Sequence, residues 1–234
     1  MELYSDLLAA VQNEYTCVHI LKQDDRKKVS ILRHKTRCMP YVFRCYEGSA
    51  EVYRKLLPLS CPHLPQIMEV AELDGKTAVL EEYVQGDTLH FLLEGGNLSA
   101  RKAKDITIQL CRGLSVLHSL GAVHRDIKPE NVILRGNEAV LIDFDASRIF
   151  KAEQAGDTVI LGTVGFAAPE QYGMSQSDER ADIYSMGVLL NVMLTGKHPS
   201  KELAPGRMGR IVSRCTMINP KERYKNVKSL MEAL

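Results

Sequence analysis

The residues best equipped for chemistry in this chain fall in one run, His124-Arg125-Asp126-Ile127-Lys128-Pro129-Glu130-Asn131. A second run, Asp143-Phe144-Asp145, starts twelve residues after Asn131, and Ala168-Pro169-Glu170 ends a glycine- and threonine-bearing stretch further on. Asp126 is a carboxylate able to accept or orient the proton of a hydroxyl nucleophile. Lys128, two residues later on an extended loop, points the same way and brings an ammonium to an anionic group in transfer. Asn131 and Asp143 add hard oxygen donors of the kind magnesium takes at short octahedral distances. Residues of these types at these spacings would suit the transfer of an anionic group onto a hydroxyl.

In order and spacing these three segments resemble the catalytic core of eukaryotic-type Ser/Thr protein kinases, in a compact, bacterial-looking form. An isolated Ala-Pro-Glu is noise, but His-Arg-Asp with an Asn five residues past the Asp and two more motifs at set distances leaves little room for chance. The resemblance runs from about Tyr15 to Leu234, dense in the second half and loose in the first. It implies an α+β, bilobal protein-kinase-like fold, with a small β-rich N-lobe over residues 1–84 ending at a hinge and a larger, mostly α-helical C-lobe over 85–234. It also implies transfer of the γ-phosphate of Mg·ATP to Ser/Thr hydroxyls of protein substrates. Asp126 is then the base, Lys128 the contact to the moving phosphate, and Asn131 and Asp143 the Mg²⁺ ligands. Self-association for autophosphorylation belongs to the same expectation.

Elements that would position these groups are visible in the patterning. Apolar and polar residues alternate from Tyr15 to Tyr46, broken at Gln23-Asp24-Asp25 and at Pro40, which predicts three antiparallel strands. Ser49–Leu57 is predicted helical, and Leu64–Val70 and Thr77–Tyr83, split by Asp74-Gly75, a hairpin. From Ser99 the pattern turns helical: Ile106, Leu110, Leu114 and Leu117 recur until Gly121 stops the run, with Ser99 as cap rather than as part of a glycosylation sequon. Val132–Leu134 and Val140–Ile142 predict a short hairpin presenting Asp143. Asp182–Leu194, closed by Gly196, predicts a buried helix, and Asn226–Leu234 a last one.

The upper half of the site departs from the family pattern. The turn Leu21–Val29, where a glycine-rich loop would cover the phosphates, has no glycine, so backbone N–H groups cannot approach as closely and Lys22, Arg26, Lys27 or Lys28 would have to do the covering, unless the turn is simply solvated. Tyr41-Val42-Phe43-Arg44 stands where the family has Val-Ala-Ile-Lys, which puts Arg44 at the lysine position with Glu51 as expected partner and Glu47 as fallback. Glu82 to Val84 form the hinge that would bind adenine through its backbone. Glu81 falls behind the adenine, a usually apolar position, where a carboxylate needs a cation such as Arg44 unless the register is off by one. Asp145 replaces a glycine, which should stiffen that loop. By the same resemblance Thr163 contacts Asp126, Glu170 pairs with Arg223, Asp182 fastens the catalytic loop, and Arg125 points to control by a phosphorylated residue, with Thr158 as acceptor. After Gly196 the helix that often docks protein substrates is missing or much reduced.

Bulk properties narrow the setting. The 234 residues carry 30 basic and 29 acidic side chains, a net charge of +1 that gives no overall field for nucleic acid. There is no apolar run of about 18 residues and no export signal, so membrane insertion is not expected and the cytoplasm is the expected location. The six cysteines show no Cys-x-x-Cys pair and are expected reduced and buried. Two other readings remain open: a pseudokinase scaffold that binds nucleotide weakly or not at all, resting on Arg44, Glu81 and the missing glycines, and a small-molecule kinase of the aminoglycoside or choline type. The latter generally lacks the Ala-Pro-Glu segment and a partner such as Arg223.

Overall fold

The computed structural model describes residues 2–150, 163, 165–172 and 177–234. The chain divides into two compact units, Met1–Cys61 with Pro65–Val84, and Pro62–Leu64 with Gln85–Leu234. The first is built on a sheet and the second mostly on helices, α+β in all.

The N-terminal unit begins with helix α1 (Glu2–Glu14), an element outside the predicted set. The three predicted strands follow as β1 (Tyr15–Gln23), β2 (Lys27–His34) and β3 (Pro40–Glu47), then helix α2 (Glu51–Leu56) and the hairpin β4 (Ile67–Leu73) and β5 (Lys76–Glu82). The sheet is antiparallel in the order β1-β2-β3-β5-β4. Asp74 and Gly75 both take positive φ, 49° and 74°, the backbone that a tight two-residue hairpin turn requires. Because side chains alternate along β3, Phe43 and Cys45 face one side and Arg44 the other. The first side is covered by α1: Leu7 packs with Ala71 and Ala78, flanked by Tyr4, Val11, Phe43 and Cys45.

The C-terminal unit opens with β6 (Asp87–Thr88) and α3 (Leu89–Glu94), followed by α4 (Ala100–Ser119), β7 (Ala122–Val123), the hairpin β8 (Val132–Arg135) and β9 (Glu138–Leu141), and β10 (Arg148–Ile149). Ser99 caps α4 by accepting from the Lys102 N–H, as its position predicts. Ile106, Leu110, Leu114 and Leu117 are buried, each contributing about 1.5–3 kcal/mol by leaving water. Three further helices complete the unit: α5 (Glu179–Thr195), α6 (Gly206–Cys215) and α7 (Val227–Ala233). Helix α5 is the buried one, and ends at Gly196 with φ 70°. It crosses α6 closely: a Cβ on Gly187 would lie 2.3 Å from the Cys215 Cβ. Between α5 and α6 the chain makes only turns, so the docking helix of the family pattern is absent there.

One expectation is corrected. Cys111 and Cys215 are buried, but Cys17 and Cys38 are exposed, since one lies on the outermost strand and the other in the β2–β3 connection. Among the described residues no helix is long and apolar enough to cross a membrane.

Candidate active site

In the C-terminal unit the catalytic run is hung from a buried carboxylate. Asp182, in the first turn of α5, accepts the backbone N–H groups of His124 and Arg125, each at 2.8 Å, and the Nε2–H of His118 at 2.8 Å. Burial pushes its carboxyl up, but the His118 bond and these donors outweigh that and hold it below the usual carboxylate range. Arg125 is thereby held at φ 72°, a left-handed backbone uncommon outside glycine. His124 is wholly buried and stays neutral, because desolvation lowers its pKa more than nearby carboxylates raise it. Its Nδ1 accepts the Asp126 N–H and its Nε2–H donates to the Ile142 carbonyl, both at 3.3 Å. The same ring stacks edge-on against Phe144. One imidazole thus joins the catalytic run to the Asp143 segment.

Asp126 sits at the centre of a closed network. Its Oδ1 accepts the Thr163 hydroxyl at 2.7 Å, its Oδ2 lies 2.7 Å from the Lys128 ammonium, and Lys128 also donates to Thr163 Oγ1 at 2.7 Å. The Asn131 carboxamide donates through Nδ2 to Asp126 Oδ2 at 3.0 Å and to the Asp126 carbonyl at 2.8 Å. Partial burial raises the Asp126 pKa, yet bonds from Lys128 and Thr163 outweigh it and leave the group below the ordinary range. The Ile142 N–H bonded to the Asn131 carbonyl at 2.9 Å sets Asp143 next in line. Asp143 has φ 68°, a strained conformation, whereas Asp145 keeps a negative φ. The position that lost its glycine therefore does not need one here.

A second buried group fastens the end of this segment. Arg223 spends all five donors: two on the Glu170 carboxylate at 2.6 and 2.8 Å, the others on the carbonyls of Met217, Arg180 and Ile218. Gln171 links the two runs, since its Nε2 donates to the Arg125 carbonyl and its Oε1 accepts the Ala168 N–H. Thr158, Gly162 and Val164 lie outside the described residues.

In the N-terminal unit Arg44 is 3 % exposed and bound by Glu81, 2 % exposed, through Nε at 3.2 Å and Nη2 at 2.5 Å. Arg44 pairs with Val79 in the sheet and Glu81 with Val42, so the two are diagonal neighbours on one face, within reach of a long side chain. The expected partner Glu51 stands in the first turn of α2, half-buried. Glu82 is pinned to Gln66 by a reciprocal pair of bonds, and Val84 behind it is buried. The β1–β2 turn is closed by Asp24, whose Oδ1 accepts the N–H groups of Arg26 at 3.0 Å and Lys27 at 2.8 Å.

The protein kinase domain family matches residues 44–234 of this sequence. The chain belongs to the protein kinase family. It is similar to the serine/threonine-protein kinase pkn2 of Myxococcus xanthus, 33% identical over 164 residues, which make up 65% of this chain and 20% of the relative. Serine/threonine-protein kinase PknA of Nostoc is 31% identical over 196 residues, 73% of this chain and 35% of the relative. A probable serine/threonine-protein kinase of Clostridium perfringens is 27% identical over 225 residues, 95% of this chain and 31% of the relative. The chain thus spans well under half the length of these curated relatives. Family membership implies use of ATP and a divalent metal.

Within this kinase domain Asp126, Lys128, Asn131 and Asp143 are gathered on one loop system, and Arg44, Glu81 and Glu82 on two neighbouring strands. Sequence reasoning missed His118 and Gln171, which orient others from inside the fold. The only signal for either was a polar residue on an otherwise apolar helix face or next to Ala-Pro-Glu.

Proposed function

We propose that this kinase domain transfers the γ-phosphate of Mg·ATP to serine or threonine hydroxyls of proteins. The observation that carries the reading is the closed network of Asp126, Thr163, Lys128 and Asn131, a built arrangement around one carboxylate. Asn131 Oδ1 and the Asp143 carboxylate are two hard oxygen donors, a sparse set that suits an ion bringing its other ligands as water and phosphate oxygens. Magnesium, when bound, neutralises the triphosphate. Asp126 aligns the attacking hydroxyl and accepts its proton as the new O–P bond forms and ADP departs with the electrons of the old one. Its low pKa makes orientation the larger part of this role. Lys128 meets the charge of the moving phosphoryl.

Arg44 supplies the positive charge that a lysine supplies in the family pattern, anchored by Glu81 with Glu51 as a further carboxylate, and Glu82 to Val84 offer the adenine edge their backbone. The relatives named above are serine/threonine-protein kinases, which supports the choice of acceptor. The same reading has copies of the chain phosphorylating one another, and places it in the cytoplasm.

The test is incubation with Mg·ATP and a generic basic protein, followed by intact-mass and site-mapping spectrometry beside Asp126→Asn. Phosphate on Ser or Thr with the wild type alone establishes the activity. No transfer at any metal or nucleotide concentration makes the domain a non-catalytic scaffold.

A further inference from the structure

The N-terminal unit holds a cavity of about 370 Å³ between α1 and the sheet face opposite Arg44. Packed interiors leave few voids larger than a water molecule, whereas ligand clefts begin at about 300 Å³. Leu8 and Val11 of α1 form one wall, Leu32 and Phe43 the other. All but one of its lining residues precede Arg44, where the family match begins.

Two polar groups mark this space as more than a packing fault. Ser30 is 3 % exposed and lines the cavity, bringing a hydroxyl to a largely apolar wall. Lys28, two residues along β2 and therefore on the same face, also lines the cavity and forms no salt bridge with a carboxylate among the described residues. Both groups donate, at adjacent positions of one strand, above an apolar body of space.

We propose that this cavity binds a small apolar carboxylic acid, its carboxylate bridging the Lys28 ammonium and the Ser30 hydroxyl and its apolar part packed among Leu8, Val11, Leu32 and Phe43. Aromatic and medium-chain aliphatic acids share this chemistry. The site is argued from the N-terminal unit alone and is independent of phosphoryl transfer.

The experiment is calorimetric titration of the whole chain with indole-3-acetate and with decanoate, decanol serving as the uncharged control. Saturable one-to-one binding of either acid is expected, and the stronger of the two identifies the source. Decanol should bind about tenfold more weakly than decanoate. Lys28→Met, a surface change that leaves the fold intact, should weaken the acid by about tenfold, and Ser30→Val by a few-fold. Val11→Trp, checked by its melting curve, should fill the space and abolish binding. Absence of saturable binding of both acids at millimolar concentration overturns the proposal, as does an affinity unmoved by Lys28→Met.

Discussion

In the C-terminal unit Asp126, Thr163, Lys128 and Asn131 hold one another at 2.7–3.0 Å, in the residue types that the family pattern demands. In the N-terminal unit the proposed nucleotide contacts depart from the family pattern: Arg44 is held by Glu81 from the next strand, and the amides of the β1–β2 turn are taken by Asp24. The difference teaches that the two halves of the task carry unequal chemical constraint. Aligning a nucleophile needs one carboxylate in one geometry, and loss of alignment is paid in rate. Neutralising and seating a nucleotide is a matter of charge and shape, which several side chains can meet.

The comparison is broken most readily at Asp126. Replacing it with asparagine should lower kcat by about 10²–10⁴-fold while leaving the KM for ATP within a few-fold; steady-state transfer assays would measure both, and an equal loss from an N-terminal change would erase the contrast. Next in size is Arg223→Met, which strands the Glu170 carboxylate inside the C-terminal unit. It should cost about 3–5 kcal/mol of stability in denaturant unfolding.

Changes to the N-terminal unit should be milder. Arg44→Lys gives up the forked contact to Glu81 and should destabilise by about 1–3 kcal/mol. Adding Glu81→Met, which restores an apolar residue opposite a lysine, should recover most of that loss. A double-mutant cycle in which the second change makes matters worse would show that the pair is not interchangeable with the family solution.

Acidity sharpens the contrast from the other side. Because Asp126 lies below the ordinary carboxylate range, it is ionised at neutral pH, and its contribution falls only as pH drops through that lowered value. The pH profile of kcat/KM should show no Asp126 inflection between about pH 6 and 8. Asp182 behaves alike for stability: its contribution is full above the unfolded carboxylate pKa and disappears as pH falls through its lowered folded value. The smallest expected effect is at the β1–β2 turn. Asp24→Gly releases the Arg26 and Lys27 amides and removes a carboxylate, and should lower the KM for ATP by a few-fold.

How much of this was legible follows from how far apart the partners lie in the chain. The catalytic run is local, so the order His-Arg-Asp, Lys, Asn could be read directly, and the resemblance extended it to Asp182 on the loop amides and Arg223 on Glu170, which the structure shows. The Arg44 partner was a different matter. Glu51, Glu47 and Glu81 were all open, and only the register of β3 on β5 makes Glu81 the diagonal neighbour. Helix α1 has Tyr4, Leu7 and Val11 at helical spacing, but a pattern that starts at Tyr15 gives no reason to look before it. Gln171 and His118 act through bonds to residues 46 and 64 positions away, and spacing carries no trace of such bonds.

For inhibitor chemistry the Arg44–Glu81 pair reverses a common strategy. Compounds aimed at kinases often extend an apolar group past the adenine ring, where the side chain corresponding to Glu81 is usually apolar. On the hinge proposed above, that direction ends on the Arg44–Glu81 pair, so an apolar extension would have to desolvate both ions without replacing their bonds. A scaffold carrying a hydrogen-bonding head at that end would gain selectivity for this domain over relatives that keep the apolar residue.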